Sequence, residues 1–145
     1  MRSYADTSFL VSLYGRDVNS LAAVALVRQN RPTFMITPLG EMEFTSVVYA
    51  IVARPKGWTL TDARAAEEDF TQDLQAGIWL SEGFPAETWT RARELTRRYA
   101  SVLGCRALDV LHVASALGLA ADVFYTFDQD QAKLARTARL RVIGC

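Results

Sequence analysis

Four acidic residues occupy positions where an apolar or small residue is expected: Asp6, Glu43, Asp109 and Asp128. Asp6 and Asp128 each follow a short strand-like run, and Glu43 and Asp109 fall on the apolar stripes of two predicted helices. A carboxylate among core residues is costly unless a positive group lies beside it. The four residues therefore predict one pocket that binds one cation.

The chemistry of such a cluster favours a hard divalent ion. Two carboxylates about 4 Å apart repel each other by roughly 4 kcal/mol at an effective dielectric constant near 20. Oxygen ligands at this density suit Mg²⁺, or Mn²⁺ in its place, better than zinc. The chain has a single histidine, His112, and its two cysteines, Cys105 and Cys145, lack zinc-site spacing and are expected to be reduced thiols. Water held by the ion can act as a nucleophile, and the ion can neutralise the charge of a phosphodiester.

Three of these four acids also have a structural alternative. Asp6 and Asp128 can cap the helices that follow them, and Asp109 near a helix N-terminus is favoured by the helix dipole. Asp130 is a weaker candidate for the cluster, and a role as a first-turn acid explains it more simply. His112 lies on an apolar helix and is expected to be a packed residue that supports the site from behind.

The positions of apolar and turn residues predict alternating strands and helices. Strands are predicted at 3–5, 33–36, 78–80, 123–126 and 140–143. Helices are predicted from about residue 7 to 14, 18 to 28, 37 to 53, 60 to 76, 85 to 103, 107 to 119 and 129 to 138. In the second helix, Leu21, Val24 and Ala25 are expected to share one face. The alternation predicts the α/β class, with a short, mainly parallel β-sheet flanked by α-helices. Ligands of such sheets bind beyond the carboxyl ends of the strands, where Asp6 and Asp128 are expected.

Composition limits the class of protein. The length of 145 residues suits a single domain spanning 1–145, and the hydrophobic share of 50% allows a sizeable core. No apolar run approaches the roughly 20 residues that span a bilayer, and no secretory signal is recognisable, so a cytoplasmic protein without membrane contact is expected. The net charge of zero does not indicate a nucleic-acid binder. Arginines are nevertheless clustered at 91–98 and 136–141.

The chain resembles PIN-domain proteins of the VapC toxin family, which belong to type II toxin–antitoxin pairs. The resemblance rests on short motifs in family order over essentially the whole chain: Ala5–Val11, Ile36–Leu39 with Glu43 and Phe44, Arg106–Ala116, and Thr126–Asp128.

The resemblance implies a PIN-like fold and a metal-dependent ribonuclease. Asp6, Glu43, Asp109 and Asp128 match the family's acidic quartet, so they are the expected catalytic residues and the expected ligands of Mg²⁺ or Mn²⁺. Thr126 matches a hydroxyl residue near that site. The implied partners are an RNA substrate, a small cognate antitoxin and a second copy of the chain in a homodimer.

Three hypotheses of different classes follow. The leading one is an endoribonuclease that hydrolyses RNA phosphodiester bonds, with Arg106 and Lys133 as candidate contacts to RNA phosphates. The second is a catalytically weak or inert PIN scaffold that binds antitoxin or RNA. The third is a metal-dependent phosphatase, which is disfavoured because no Asp-x-Asp pair follows the first strand.

Overall fold

A computed structural model describes all residues, 1–145. Its single sheet has five strands: β1 (Arg2–Ala5), β2 (Thr33–Ile36), β3 (Trp79–Ser81), β4 (Val123–Tyr125) and β5 (Arg141–Ile143). The strand order is β3-β2-β1-β4-β5, and all four pairings are parallel. The predicted α/β class with a mainly parallel sheet is confirmed.

Seven helices connect and cover the strands. They are α1 (Thr7–Tyr14), α2 (Ser20–Asn30), α3 (Pro38–Val52), α4 (Leu60–Gln75), α5 (Thr88–Leu103), α6 (Ala107–Gly118) and α7 (Gln129–Thr137). Their boundaries lie within three residues of the predicted ones. The largest shift at a helix start is in α5, because Pro85 forms a turn in which its carbonyl accepts a hydrogen bond from the Thr88 amide. None of the helices combines the length and hydropathy needed to cross a membrane.

Helices cover both faces of the sheet. Because side chains alternate along each strand, a strand contributes to the core on both sides. In β1, Ala5 belongs to a core cluster that includes Phe44 of α3 and Phe70 of α4. Tyr4 points to the opposite face and joins a second cluster, which includes residues of α5, α6 and α7. A sheet covered in this way holds β1 firmly at its centre.

The exposed positions of α2 differ from the expectation. Leu21 is 88% exposed, and the only buried residue of the helix is Ala23. Leu26 and Val27 pack partly against the core. The helix lies at the periphery, so it buries a narrower stripe than the three-residue face expected from its sequence.

The order of the strands places a crevice beside β1. The chain passes from β1 to β2 on one side of β1 and later adds β4 on the other side. Ligands of open parallel sheets bind where the strand order reverses in this way. The residues that directly follow the three central strands, Asp6, Thr37 and Thr126, therefore lie at the predicted ligand edge.

Candidate active site

A cavity of about 670 Å³ opens at this edge, and all four predicted acids line it. Asp17 adds a fifth carboxylate, and the only guanidinium groups in the lining are those of Arg54 and Arg106. The remaining lining includes Val47, Ile51 and Trp58. An excess of carboxylates over cationic groups favours the binding of positive charge.

Asp6 is the most buried of the four acids, at 3% exposure. It caps α1, and its Oδ1 accepts hydrogen bonds from the Phe9 amide at 3.1 Å and the Ser8 hydroxyl at 2.7 Å. Its Oδ2 accepts a hydrogen bond from Thr126 Oγ1 at 2.6 Å. Burial raises the pKa of Asp6 to about 6, although the hydrogen bond from Thr126 opposes this rise. Asp6 is thus both the cap of α1 and a carboxylate whose ionised form is disfavoured by burial.

Glu43 lies at the edge of the buried face of α3. The sequence stripe placed it among inward-facing residues, but the buried residues of the helix are Gly40, Phe44 and Val48. The side chain of Glu43 is 22% exposed and reaches the cavity. The stripe was wrong by about one position, because it followed the apolar residues and overlooked Gly40, whose missing side chain lets the helix approach Ile36.

Two donors hold one oxygen of Glu43. Its Oε2 lies 2.5 Å from Thr7 Oγ1 and 2.5 Å from His112 Nε2. Burial alone would raise the pKa of Glu43, but the hydrogen bonds from His112 and Thr7 outweigh it and hold the pKa below its usual value. Glu43 therefore stays ionised in its partly buried position.

Asp109 and Asp128 combine a structural role with access to the cavity. Asp109 is 15% exposed, not buried as its apolar surroundings suggested, because it lies at the third position of α6, where its Oδ2 accepts from Arg106 N and Nε at 3.2 Å. Asp128 caps α7, and its Oδ1 accepts from the amides of Asp130 and Gln131 at 2.8 and 3.0 Å. The structural alternatives for these two acids are therefore correct: Asp109 lies in the first turn of α6, and Asp128 caps α7. Both side chains also line the cavity.

The donor chemistry of the cavity fits a hard cation, although the carboxylates are not gathered into a finished site. No group of three or more His, Cys, Asp or Glu side chains is arranged to hold a metal ion. Three of the acids use only one carboxylate oxygen in the hydrogen bonds described above. The other oxygen accepts no hydrogen bond from the protein: Oε1 of Glu43, Oδ1 of Asp109 and Oδ2 of Asp128. Oxygens of this kind are suitable ligands for Mg²⁺ or Mn²⁺.

The other expected site residues separate into two groups. Thr126 is buried against Asp6, and Arg106 and His112 line the cavity. Asp130 and Lys133 lie outside it and form an exposed ion pair with each other at 3.1 Å. Of the two acids at the start of α7, Asp128 is thus the one that lines the cavity.

Three polar residues of the site had no individual signal in the sequence. Thr7 and Ser8 donate to Glu43 and Asp6 respectively, and Tyr4 OH lies 2.9 Å from His112 Nδ1. Thr7 and Ser8 lie within the Ala5–Val11 motif, but the motif alone assigns them no role in the site. Tyr4 reads as an ordinary strand residue, and only the folded structure shows its partner.

Sequence comparison identifies the family. The PIN domain family matches residues 3–137, so the chain belongs to this family. This confirms the predicted resemblance for nearly the whole chain. No curated protein matches the sequence significantly.

Solved structures share the fold at low sequence identity. The toxin VapC20 of Mycobacterium tuberculosis, described as cleaving the sarcin–ricin loop, has a TM-score of 0.69 and 18% identity, covering 90% of this chain and 93% of its own. VapBC2 of Rickettsia felis, bound to a promoter DNA fragment, has a TM-score of 0.67 and 17% identity, with coverage of 99% and 98%. FitAcB of Neisseria gonorrhoeae has a TM-score of 0.61 and 17% identity, with coverage of 97% and 96%. These similarities extend the fold assignment over the length of the chain.

Proposed function

We propose that the chain is a divalent-metal-dependent endoribonuclease and the toxin of a type II toxin–antitoxin pair. The observation that carries the proposal is the meeting of Asp6, Glu43, Asp109 and Asp128 at one acidic cavity beyond the carboxyl ends of the central strands. The PIN domain match supports the reaction class, and the solved toxins of the same fold support the biological setting.

In this proposal the four carboxylates hold Mg²⁺, with Mn²⁺ as a substitute. When bound, the divalent ion activates water and neutralises phosphodiester charge. Glu43 stays ionised beside the cavity and can accept a proton from an attacking water. The buried Asp6 supplies charge that has little access to solvent and so gains most from a nearby cation.

The RNA path needs positive charge, because the carboxylates of the cavity repel phosphates. Arg106 is 78% exposed at the cavity, and Arg54 also lines it. Both guanidinium groups are suited to contact RNA phosphates beside the site. Lys133 is a weaker candidate, because it pairs with Asp130 away from the cavity. We expect RNA affinity to fall steeply as salt increases.

Asp128 and Asp130 provide a matched test of the metal site. Asn at 128 keeps an oxygen that can cap α7, and Asn at 130 keeps one that can accept from Lys133, so each variant mainly removes one charge. We expect Asp128→Asn to weaken RNA cleavage in Mg²⁺ by more than about tenfold, the lower end of the loss caused by even outer partners of a metal. Asp130→Asn should cleave as the wild type does. Equal cleavage by all three proteins would contradict the proposal.

Metal binding can also be measured without RNA. A cation that binds the folded cavity raises the melting temperature by mass action. We expect Mg²⁺ or Mn²⁺ to raise the melting temperature of the wild type, and to raise that of Asp128→Asn less. A wild-type melting temperature that is unchanged from EDTA to saturating metal would count against the acidic cluster as a cation site.

A scaffold without catalysis is the second candidate. It is favoured by the one observation that no three acidic side chains are already arranged around an ion position. This candidate predicts RNA binding that needs no metal and no cleavage at any Mg²⁺ or Mn²⁺ concentration. Metal-dependent cleavage by the purified wild type would exclude it.

The proposed antitoxin has a suitable surface beside the cavity. Val18 and Leu21 are 97% and 88% exposed, and Asp17 and Asn19 next to them line the cavity. Exposed apolar side chains at such a rim suit a protein partner that covers the site. Two of the similar structures, VapBC2 and FitAcB, carry names that join two components. A small reading frame upstream of the gene, encoding a protein that copurifies with this chain, would support the assignment; the proposed homodimer can be measured by analytical ultracentrifugation.

A further inference from the structure

A buried chain of hydrogen bonds runs behind Glu43. His112 is 2% exposed, and its ring lies between Tyr4 and Glu43. Its Nε2 is 2.5 Å from Glu43 Oε2, and its Nδ1 is 2.9 Å from Tyr4 OH. These contacts join β1, α6 and α3, three elements that are far apart in the sequence.

The partners of the ring determine where its proton lies. An ionised carboxylate only accepts hydrogen bonds, so the Nε2 that faces Glu43 must carry a hydrogen. In a neutral ring the Nδ1 is then an acceptor, and the Tyr4 hydroxyl can donate to it. Tyr4 is fully buried, and its hydroxyl also lies near Thr37 Oγ1, at the longer distance of 3.4 Å.

We propose that His112 and Tyr4 are positioning residues for Glu43. Glu43 requires the Nε2–H tautomer, Tyr4 supports it by donating to Nδ1 and fixes the ring orientation, and the ring together with Thr7 fixes Oε2 of Glu43. Fixing one oxygen leaves Oε1 free to face the cavity and lowers the conformational entropy that the side chain loses when it binds a cation. The binding of a cation by Glu43 rests on the proposed function. The hydrogen-bond chain from Tyr4 through His112 to Glu43, which we call the relay, does not.

The tautomer can be observed directly, because His112 is the only histidine of the chain. In ¹⁵N-histidine-labelled protein at pH 8 without metal, imidazole nitrogen shifts should show a protonated Nε2 and an unprotonated Nδ1. Tyr4→Phe removes the donor to Nδ1 and should move the Nδ1 resonance, whereas Nε2 keeps its hydrogen because it still faces Glu43. A wild-type ring with a protonated Nδ1, or a Tyr4→Phe spectrum identical to the wild type, would overturn the role of Tyr4.

Two substitutions of His112 separate positioning from packing. Gln can place a side-chain amide near the position of Nε2 and still donate to Glu43, whereas Leu fills the space without a donor. Titration with Mn²⁺ alone should show affinity weakened about 10–100-fold in His112→Leu and largely restored in His112→Gln. Leu affinity equal to that of the wild type would overturn the positioning of Glu43, as would equal weakening in both folded variants.

The outcomes also separate this inference from the proposed function. If His112→Leu does not fold, the histidine spectrum and Tyr4→Phe still decide the inference. If the wild type binds no Mn²⁺ and cleaves no RNA, the proposed function fails, and the tautomer measurement alone supports or refutes the relay. If Asp128→Asn abolishes cleavage while the spectrum shows a protonated Nδ1, the function stands and the relay fails.

Discussion

The ionisation of Asp6 should destabilise the folded protein at neutral pH in the absence of metal. Its pKa rises from 3.8 in the unfolded reference to about 6 in the fold, chiefly because the side chain is buried. Asn in its place cannot ionise, yet its oxygen can still cap α1 and accept from Ser8. We therefore predict that Asp6→Asn is more stable than the wild type at pH 8 in EDTA.

The magnitude follows from proton linkage. The folded state binds the Asp6 proton more tightly than the unfolded state, so the contribution of Asp6 to wild-type stability is greatest below pH 4 and falls as the pH rises through 6. The shift of about two pKa units corresponds to about 3 kcal/mol above that window. For a chain of this size, 3 kcal/mol is equivalent to roughly 6–12 °C in melting temperature. At pH 4.5 the same linkage leaves a difference of only about 1 kcal/mol between the two proteins.

Urea unfolding of both proteins at pH 8 and pH 4.5 measures this difference. Asp130→Asn is the control, because Asp130 is an exposed aspartate outside the cavity and its variant should follow the wild type at both pH values. Mg²⁺ at pH 8 should narrow the difference between the wild type and Asp6→Asn, because the cation compensates the buried charge. A stability difference that is the same at both pH values, or an Asp6→Asn protein less stable than the wild type at pH 8, would refute the reasoning.

Two further predictions concern the elements that frame the site. Thr59→Ala removes the acceptor that caps α4 at the Asp62 amide and should cost about 1 kcal/mol of unfolding free energy, whereas the exposed Thr61→Ala should cost less than half of that; equal losses in chemical denaturation would contradict the cap. Gly57→Ala would place a Cβ against the Ile51 carbonyl oxygen and should lower the melting temperature by several degrees. Gly83→Ala is the control, because a Cβ there meets nothing within 4 Å. Equal melting temperatures of the two variants would contradict a steric requirement for glycine at position 57.

The fold was largely predictable because its signals are local. Gly and Pro punctuate the chain, and apolar residues repeat with the strand or helix period between them. These signals were enough to predict the order of the five strands and seven helices along the chain. Exposure was harder to predict, as Leu21 shows, because it depends on which neighbour covers a helix and not on the helix itself.

The site was predictable in membership but not in detail. Positions after strands identified Asp6 and Asp128, and apolar helix stripes identified Glu43 and Asp109, whereas the fifth acid of the cavity, Asp17, was missed. The role of the four predicted acids as metal ligands stays a prediction. Their burial was overestimated, since only Asp6 is buried, and Asp109 sits in an exposed first helical turn that apolar neighbours disguised. The partnership of Tyr4 with His112 spans 108 residues, and no periodic pattern carries that information.

The position of β1 at the centre of the sheet affects when the protein can become active during its own translation. Asp6 emerges first, but its partner Thr126 and the acid Asp128 arrive with β4, more than a hundred residues later. A nascent chain that ends before Val123 therefore lacks β4 and β5, and its acidic cavity is incomplete. If the protein cuts RNA, a fragment that ends before β4 lacks Thr126 and Asp128 and is expected to be inactive.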